Sequence, residues 1–333
     1  MEYRFLGRSG LKVSALSFGT WVTFGDQIGA EPAAACLKAA YEAGVNFFDT
    51  AEVYAGGAAE VMLGDLVKKF GWKRSDLVVS TKIFWGGNGP NDSGLSRKHV
   101  IEGTEASLKR LQMDYVDLLF CHRPDEHTPV EETVRAMTHL IDQGKALYWG
   151  TSEWSAEDIR DAVRIARTEH LVPPTMEQPQ YNMFVRDRVE REYLRLYEEF
   201  GLGTTVWSPL ASGFLAGKYL KGIPAGTRLS MKNYKWLRQR FEGPAAAEKL
   251  AAVRKLGRLA ADLKTSLPQL ALAWCLKNPY VSTVITGASR PEQVQENMKA
   301  LDTVQLLTDE VMGKIEKVLN NKPRPEPDFR KQI

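Results

Sequence analysis

The sequence predicts an α/β protein in which eight parallel strands close into a (β/α)8 TIM barrel behind an N-terminal β-hairpin. Short apolar runs alternate with longer segments of helical periodicity along most of the 333 residues, a pattern typical of a parallel sheet. The runs number eight, which is the number that closes a barrel. The competing doubly wound sheet is disfavoured because neither a Gly-x-Gly-x-x-Gly fingerprint nor a Gly-Lys-Ser/Thr phosphate loop occurs.

The elements follow one another in a regular order. A hairpin-like segment, residues 3–14, opens the chain. The strand candidates are apolar runs of 4–8 residues bounded by turn residues: 15–19, 45–50, 77–82, 116–122, 146–152, 175–180, 203–208 and 281–287. Pro174 and Pro179 interrupt the sixth run, and proline is awkward in a central strand because it has no N–H for the ladder.

Helix signals occupy the segments between the strands. We predict helices over residues 31–43 and 130–143, which glycines end, over 97–111, and over 155–168, which Ser155 caps. An insertion at about 210–243 is too long for an ordinary βα loop, and we expect it to cover a site as a lid. No linker divides the chain, which predicts a single domain over 1–333 with an extended C-terminal tail at about 322–333.

Composition narrows the classes of function. The 44 basic and 41 acidic residues are spread along the chain and leave a net charge of +3, which argues against a nucleic-acid or anionic-membrane surface. Three distant cysteines and no His-Glu-x-x-His argue against disulfides and a metal site. No run of 18 apolar residues lacks a charge, so we expect no direct membrane insertion. We predict a soluble, cytoplasmic protein whose partners are small molecules or other proteins.

Three successive strand candidates end in polar side chains. Asp49, Lys82 and His122 close the second, third and fourth runs, and Tyr54 follows five residues after Asp49. Strand ends of a barrel meet at one mouth, so these groups should converge. The Lys82 ammonium would lower the pKa of Tyr54 into a working range, Asp49 would orient Lys82, and His122 would donate a hydrogen bond to a carbonyl oxygen. Together they suit the reduction of a carbonyl group.

Each of these residues also has a purely structural interpretation. Asp49 suits a helix N-cap, Tyr54 a surface position, Lys82 a solvated strand end, and His122 a satisfied core histidine. Their coincidence on three successive barrel strands favours the catalytic interpretation.

Several segments of the chain resemble the aldo-keto reductases, and most of all the β subunits of voltage-gated potassium channels of the plant type. The resemblance runs from Tyr3 to about Arg330 and is specific at 19–25, 48–54, 81–87, 94–99, 207–213 and 287–289. It implies that Asp49, Tyr54, Lys82 and His122 form a catalytic tetrad with Tyr54 as the proton donor. Animal channel subunits tend to carry Asn in place of His122, which favours an active enzyme here.

The resemblance also implies that NADPH lies extended across the barrel mouth. The matching positions are Thr20, Trp21, Gln27, Asp49, Ser152, Gln178, Trp207, Ser208, Pro209, Leu210, Ser212, Lys218, Arg228, Gly287, Ser289, Gln293, Glu296 and Asn297. Trp207 would stack on the nicotinamide, and Lys218 and Arg228 favour NADP over NAD. Two positions depart from the family: Glu153 replaces Asn or Arg, and Gly226 replaces the Tyr of channel subunits, which predicts faster cofactor exchange.

The same resemblance implies a substrate and an activity. Trp21, Trp85 and Met183 would wall the substrate pocket beside Tyr54 and His122, although residues of this kind after barrel strands are also common core plugs. The implied activity is the NADPH-dependent reduction of aldehydes or ketones to alcohols. The alternative is a redox-sensing accessory subunit that binds NADPH with little turnover and docks, as a homotetramer, on a potassium channel α subunit.

Overall fold

A computed structural model of the protein describes residues 1–21, 24–25, 28–220, 222–224, 228–230, 238, 242–324 and 330. Ten strands form an antiparallel hairpin and a closed parallel barrel: β1 (Tyr3–Phe5), β2 (Lys12–Ser14), β3 (Leu16–Gly19), β4 (Phe47–Asp49), β5 (Val78–Ile83), β6 (Val116–Cys121), β7 (Ala146–Thr151), β8 (Met176–Glu177), β9 (Gly203–Val206) and β10 (Thr283–Thr286). Barrel neighbours follow chain order from β3 to β10, and β10 pairs with β3. The predicted barrel and hairpin are confirmed.

Helices surround the barrel in the described part of the chain. They are α1 (Ala30–Glu42), α2 (Ala58–Phe70), α3 (Arg97–Leu111), α4 (Val130–Asp142), α5 (Ala156–Thr168), α6 (Leu194–Phe200), α7 (Pro244–Asp262), α8 (Leu267–Lys277), α9 (Pro291–Met298), α10 (Ala300–Thr303) and α11 (Asp309–Leu319). The four predicted helices are present within one residue at each end. Ser155 is the predicted N-cap, since its hydroxyl accepts a hydrogen bond from the Asp158 N–H at 3.1 Å.

The sixth barrel strand, β8, is shorter than predicted. Only Met176 and Glu177 pair in the ladder, because Pro174 and Pro179 on either side cannot donate backbone hydrogen bonds. The chain still runs beside its neighbours, since the Gln178 N–H donates to the carbonyl of Thr151 at 2.8 Å. Gln178 is thereby held at the same end of the barrel as the ends of β4 and β5.

Apolar side chains close one end of the barrel and leave the other open. Leu6 and Val13 of the hairpin pack into the barrel interior against Phe47 and Val78, which begin β4 and β5. Two larger apolar clusters fill the space between the strands and the surrounding helices. The hairpin therefore covers the N-terminal ends of the strands, and the opposite end remains free to form a site. None of the described helices is both long enough and apolar enough to span a bilayer.

Glu177 is a carboxylic acid enclosed in this outer packing. It is completely buried, its Oε2 accepts a hydrogen bond from the Thr151 hydroxyl, and its Oε1 has no hydrogen-bond partner in the described structure. Burial raises the pKa of Glu177 from 4.5 to about 8. Between these two values the unfolded chain has lost a proton that the folded chain keeps, so stability falls as the pH rises.

We expect Glu177→Gln to remove this pH dependence. The free energy of unfolding of the wild type should fall by about 1.4 kcal/mol per pH unit across the interval, relative to the variant. In thermal scans the variant should match the wild type near pH 4.5 and exceed its Tm by several degrees near pH 8.5. Glu248→Gln, at an exposed position, is the matched control. Parallel Tm curves for Glu177→Gln and wild type would contradict the prediction.

Candidate active site

The C-terminal ends of the barrel strands surround a cavity of about 930 Å³. Most residues that the sequence predicted for a site at this end contribute to its wall: Trp21, Asp49, Tyr54, Trp85, His122, Ser152, Gln178, Trp207, Ser208, Pro209, Leu210, Ser212, Lys218, Gly287, Ser289 and Gln293. They come from segments that follow different strands, and only closure of the barrel brings them together.

A buried ion pair lies at the base of this cavity. The ammonium of Lys82, in β5, is fully buried and donates to Asp49 Oδ2 at 2.6 Å, to the carbonyl oxygen of Thr50 at 2.7 Å and to the Tyr54 hydroxyl at 3.2 Å. An ammonium has three N–H donors, and each finds one acceptor here. Lys82 is therefore fully satisfied, and it ties Asp49 to Tyr54.

The second oxygen of Asp49 is also engaged. Its Oδ1 accepts hydrogen bonds from the Ser80 hydroxyl at 2.7 Å and from Gln178 Nε2 at 3.0 Å. Gln178 Nε2 also lies 3.3 Å from the Thr205 hydroxyl, and the Gln178 carbonyl accepts from the Ser152 hydroxyl at 2.9 Å. Four barrel segments thus hold the Asp49 carboxylate in a single orientation.

A strained turn places Tyr54 above this ion pair. Ala55, Gly56 and Gly57 all have positive φ, at 50°, 61° and 92°, within the short helical turn Tyr54–Gly57 that precedes α2. A Cβ at Gly57 would lie 2.8 Å from Cδ of Arg110, so the position requires glycine for space as well as for its backbone angle. Left-handed residues in succession are costly and cluster at functional sites.

The electrostatics of Tyr54 differ from the prediction. Burial and the charge of Asp49 raise the pKa of Tyr54 well above its usual range, and Arg123 only partly opposes them. Burial also lowers the pKa of Lys82, although Asp49 acts in the opposite direction. The predicted lowering of the Tyr54 pKa by Lys82 is therefore wrong for this structure, because desolvation and the charge of Asp49 raise that pKa. Tyr54 is held as a neutral phenol, which is the form that can give a proton.

His122 lies beside Tyr54 in the cavity wall. Its backbone N–H donates to the Ile83 carbonyl at 3.0 Å, and its ring centroid is 5.8 Å from that of Tyr54 and 5.0 Å from that of Trp85. Burial, reinforced by Lys82 and Arg123, lowers the pKa of His122 well below its usual range. The ring is neutral, and we assign its proton to Nε2, since Nδ1 is enclosed without a hydrogen-bond partner in the described structure.

Glu153 holds the ring of Trp207 at the cavity wall. Its Oε1 accepts hydrogen bonds from Trp207 Nε1 at 2.9 Å and from the Gln180 N–H at 2.6 Å. Glu153 adopts a left-handed backbone conformation, with φ of 61°, which directs it toward these donors. Glu153, which departs from the family pattern, thus accepts hydrogen bonds from Trp207 and Gln180. It holds the Trp207 indole in place, and this is the ring on which the nicotinamide was predicted to stack.

The segment after β9 curls around the cavity. Ser208, Ala211 and Ser212 have positive φ of 56°, 48° and 56°, and Gly213 follows at 103°. The Ser208 hydroxyl accepts from the Ser212 N–H at 3.2 Å and stabilises the curl. Such strained backbone is typical of ligand-binding segments, where clustered N–H groups suit an anion.

Some predicted residues do not line the cavity. Met183 is fully buried in the outer core cluster, so the prediction that it walls the substrate pocket is wrong. Its side chain belongs instead to the apolar cluster that also contains Tyr181 and Val189. Thr20 is buried and donates to the Thr50 hydroxyl at 2.9 Å. Glu296 and Asn297 lie in α9, outside the cavity wall, and Glu296 pairs with Lys299 at 2.6 Å.

Other predicted features fall where the structure is not described. Gln27 and Gly226 lie outside the described residues, as do the side chain of Arg228 and much of the predicted lid at 210–243. The predicted tail at 322–333 is described only for residues 322–324 and 330. Within the lid segment, the described turn Ala211–Ala216 follows Leu210 and contributes to the cavity wall.

Two arginines are among the cavity residues that the sequence analysis missed. Arg123 follows His122 directly, so its position one residue beyond a strand end was the available signal. Arg290 is the N-cap of α9 and adds a second cation at the far side of the cavity. In the described part of the chain, no group of three or more His, Cys, Asp or Glu side chains is arranged to hold a metal ion.

Comparison with known proteins defines the family to which this protein belongs. The family model described as the aldo/keto reductase family matches residues 15–320, so the chain belongs to that family. Its members are oxidoreductases that typically use NAD(P)H. Two similar relatives carry the name "probable voltage-gated potassium channel subunit beta", one from Oryza sativa subsp. japonica and one from Arabidopsis thaliana. Each is 57% identical over 331 residues, which cover 99% of this chain and 100% of the relative. The resemblance predicted from the sequence is confirmed.

Proposed function

We propose that this protein is an NADPH-dependent aldo-keto reductase that reduces aldehydes or ketones to alcohols. The observation that carries the proposal is the hydrogen-bonded series Asp49, Lys82 and Tyr54, with neutral His122 beside the Tyr54 ring in one cavity. A carbonyl reductase needs a neutral acid at the carbonyl oxygen, and the raised pKa of Tyr54 keeps such an acid available.

Each tetrad residue has one task in this proposal. Tyr54 gives its hydroxyl proton to the carbonyl oxygen, and His122 Nε2–H donates a hydrogen bond to the same oxygen. Lys82 stabilises the phenolate that Tyr54 becomes, and Asp49 fixes the Lys82 ammonium in place. Hydride for the carbonyl carbon is the chemistry that NADPH supplies when bound.

The residues of the cavity fit an extended dinucleotide. Trp207, braced by Glu153, offers a ring for stacking, and Ser152 offers a hydroxyl for the carboxamide. The curled segment at residues 208–213 suits a pyrophosphate, and the N-terminus of α9 suits an anion at the other end. Lys218 and Arg290 line the same cavity, and their positive charges favour binding of NADPH, which carries one more phosphate than NADH.

A cofactor titration and a turnover assay test the proposal together. The quenching of tryptophan fluorescence should give a lower Kd for NADPH than for NADH. Its absorbance at 340 nm should fall only when an aldehyde such as 4-nitrobenzaldehyde is present. Equal binding of the two cofactors would overturn the NADPH preference, and aldehyde-independent loss of absorbance would overturn the reductase assignment.

We expect Glu153→Ala to weaken NADPH binding because the indole N–H of Trp207 loses the carboxylate that accepts its hydrogen bond. A loss of about 1–2 kcal/mol corresponds to a roughly 5- to 30-fold higher Kd in the fluorescence titration. Glu153→Gln keeps an acceptor oxygen and is the matched control, with a Kd close to that of the wild type. Equal effects of both variants would show that the charge, rather than the support of Trp207, matters.

The similarity to channel subunits favours a second candidate function. We propose, as that alternative, a cytoplasmic accessory subunit that assembles as a homotetramer and docks on a potassium channel α subunit, binding NADPH with little turnover. The identity of 57% over 99% of the chain supports it. Light scattering should give the mass of a tetramer, and the protein should co-purify with the cytoplasmic domain of a plant channel at micromolar concentration. A monomer that fails to co-purify would exclude this function.

A further inference from the structure

Arg123 places a cation in the cavity beside the tetrad. It follows His122 at the end of β6, and its guanidinium carbon lies 5.6 Å from the ring centroid of Trp85 and 6.0 Å from that of Trp207. Both indoles also line the cavity. Arginine stacks on aromatic rings through the flat faces of its guanidinium, which leaves the N–H groups on its edges for other partners.

No residue in the described part of the chain neutralises the charge of Arg123. Its Nη1 donates to the carbonyl oxygen of His122 at 2.5 Å and to the Ser152 hydroxyl at 3.2 Å, and both of these acceptors are uncharged. No carboxylate among the described residues lies within 4.0 Å of it. A guanidinium has five N–H donors, and no described residue accepts a hydrogen bond from Nε or Nη2 of Arg123.

Among the described residues, Asp49, which lines the same cavity, and Glu153, which lies behind Trp207, are engaged by other groups. Asp49 pairs with Lys82 at 2.6 Å, and Glu153 accepts from Trp207 at 2.9 Å. Leaving a half-buried guanidinium without an anion is unfavourable, and a site that keeps one is built for an anion that arrives with a ligand.

The position of Arg123 points to the substrate rather than to the cofactor phosphates. Its charge lowers the pKa of His122 and opposes the rise in the pKa of Tyr54, which puts it near the atoms that act on the carbonyl. The segment at 208–213 and the N-terminus of α9 already provide for phosphates at other parts of the cavity. A nicotinamide ring beside Trp207 offers no anionic group for Arg123.

We propose that Arg123 is a specificity-determining residue that pairs with a carboxylate or phosphate carried by the carbonyl substrate. This inference rests on the proposed reductase function. The substrate class is then anionic aldehydes and ketones, in which the carbonyl reaches Tyr54 and His122 while the anion accepts hydrogen bonds from the guanidinium edge. Trp85, which is 40% exposed, would cover the apolar part between them.

A pair of nearly isosteric substrates tests the proposal. We expect the wild type to have a higher kcat/KM for 4-carboxybenzaldehyde than for methyl 4-formylbenzoate, which lacks the charge. Arg123→Met should lower this ratio by about 10- to 100-fold. Arg123→Lys keeps the positive charge but loses the paired N–H groups of the guanidinium, so it should lower the ratio less. Arg254→Met removes a cation at an exposed position of α7 outside the cavity wall and should leave the ratio unchanged. An equal loss for both substrates in Arg123→Met would overturn the proposal.

A binding measurement separates this inference from the proposed function. Calorimetric titration of 4-(hydroxymethyl)benzoate, with and without NADP⁺, should give a Kd that rises about tenfold or more in Arg123→Met. Arg123-dependent binding without turnover of any aldehyde would sustain the anion site and overturn the reductase function. The opposite result is turnover of aldehydes in which neither the Kd for the carboxylate nor the substrate ratio changes in Arg123→Met. It would sustain the reductase function and overturn the anion site. Comparison of glycolaldehyde with glycolaldehyde phosphate then distinguishes a phosphate from a carboxylate.

Discussion

Tyr54→Phe is expected to lower kcat for 4-nitrobenzaldehyde by about 10²- to 10⁴-fold, the usual contribution of a positioned acid. The variant keeps the ring, and with it the edge contact to His122 at 5.8 Å, but loses the hydroxyl that lies 3.2 Å from Lys82. Steady-state oxidation of NADPH at 340 nm measures the loss. The Kd for NADPH from fluorescence titration should change by less than about threefold.

Two checks keep this result interpretable. Tyr280→Phe removes the same atom at a solvent-exposed ring stacked on Tyr197, outside the cavity wall, and should retain wild-type turnover. An unchanged far-ultraviolet circular dichroism spectrum of Tyr54→Phe would show that the fold is intact. Turnover by Tyr54→Phe equal to that of the wild type would exclude Tyr54 as the proton donor.

Lys82→Met is expected to damage both activity and stability. Removing the ammonium leaves Asp49 as a buried carboxylate held only by Ser80 and Gln178, and breaking a buried ion pair in this way costs about 3–5 kcal/mol. Turnover should fall at least as far as in Tyr54→Phe, since the phenolate loses its stabilising cation. Denaturant unfolding and the NADPH assay measure the two effects.

The double variant Asp49→Asn/Lys82→Met separates the two effects. An asparagine keeps the hydrogen bonds to Ser80 and Gln178 without a buried charge, so stability should recover substantially. Activity should not recover, because the cation that Tyr54 needs is still absent. A Lys82→Met variant as stable as the wild type would show that Asp49 does not remain charged in the fold.

The sequence predicted that Asp49, Tyr54, Lys82 and His122 lie together because the signal for their placement is local. Asp49, Lys82 and His122 each end an apolar run, and strand periodicity together with the barrel count is enough to bring three such ends to one mouth. The turn at Tyr54–Gly57 is also legible in the sequence, since two consecutive glycines mark the left-handed backbone that brings Tyr54 back over Lys82.

Contacts between distant segments were not predictable in the same way. The role of Glu153 depends on the indole of Trp207, which follows a different strand, and the importance of Arg123 depends on which carboxylates approach it. Met183 was predicted to wall the pocket, yet its side chain is buried in the apolar cluster outside the cavity wall, which depends on packing between distant segments.

The sequence by itself determined the barrel, its order of strands and the residue types at their ends, because periodicity, turn glycines and N-caps act over a few neighbouring residues. Only the tertiary structure decided the charge state of those residues and which of them face the cavity. The physical reason is desolvation: the folded barrel encloses Tyr54 beside Asp49, and both burial and that charge raise the pKa of Tyr54, which makes the tyrosine a neutral acid rather than one with a lowered pKa.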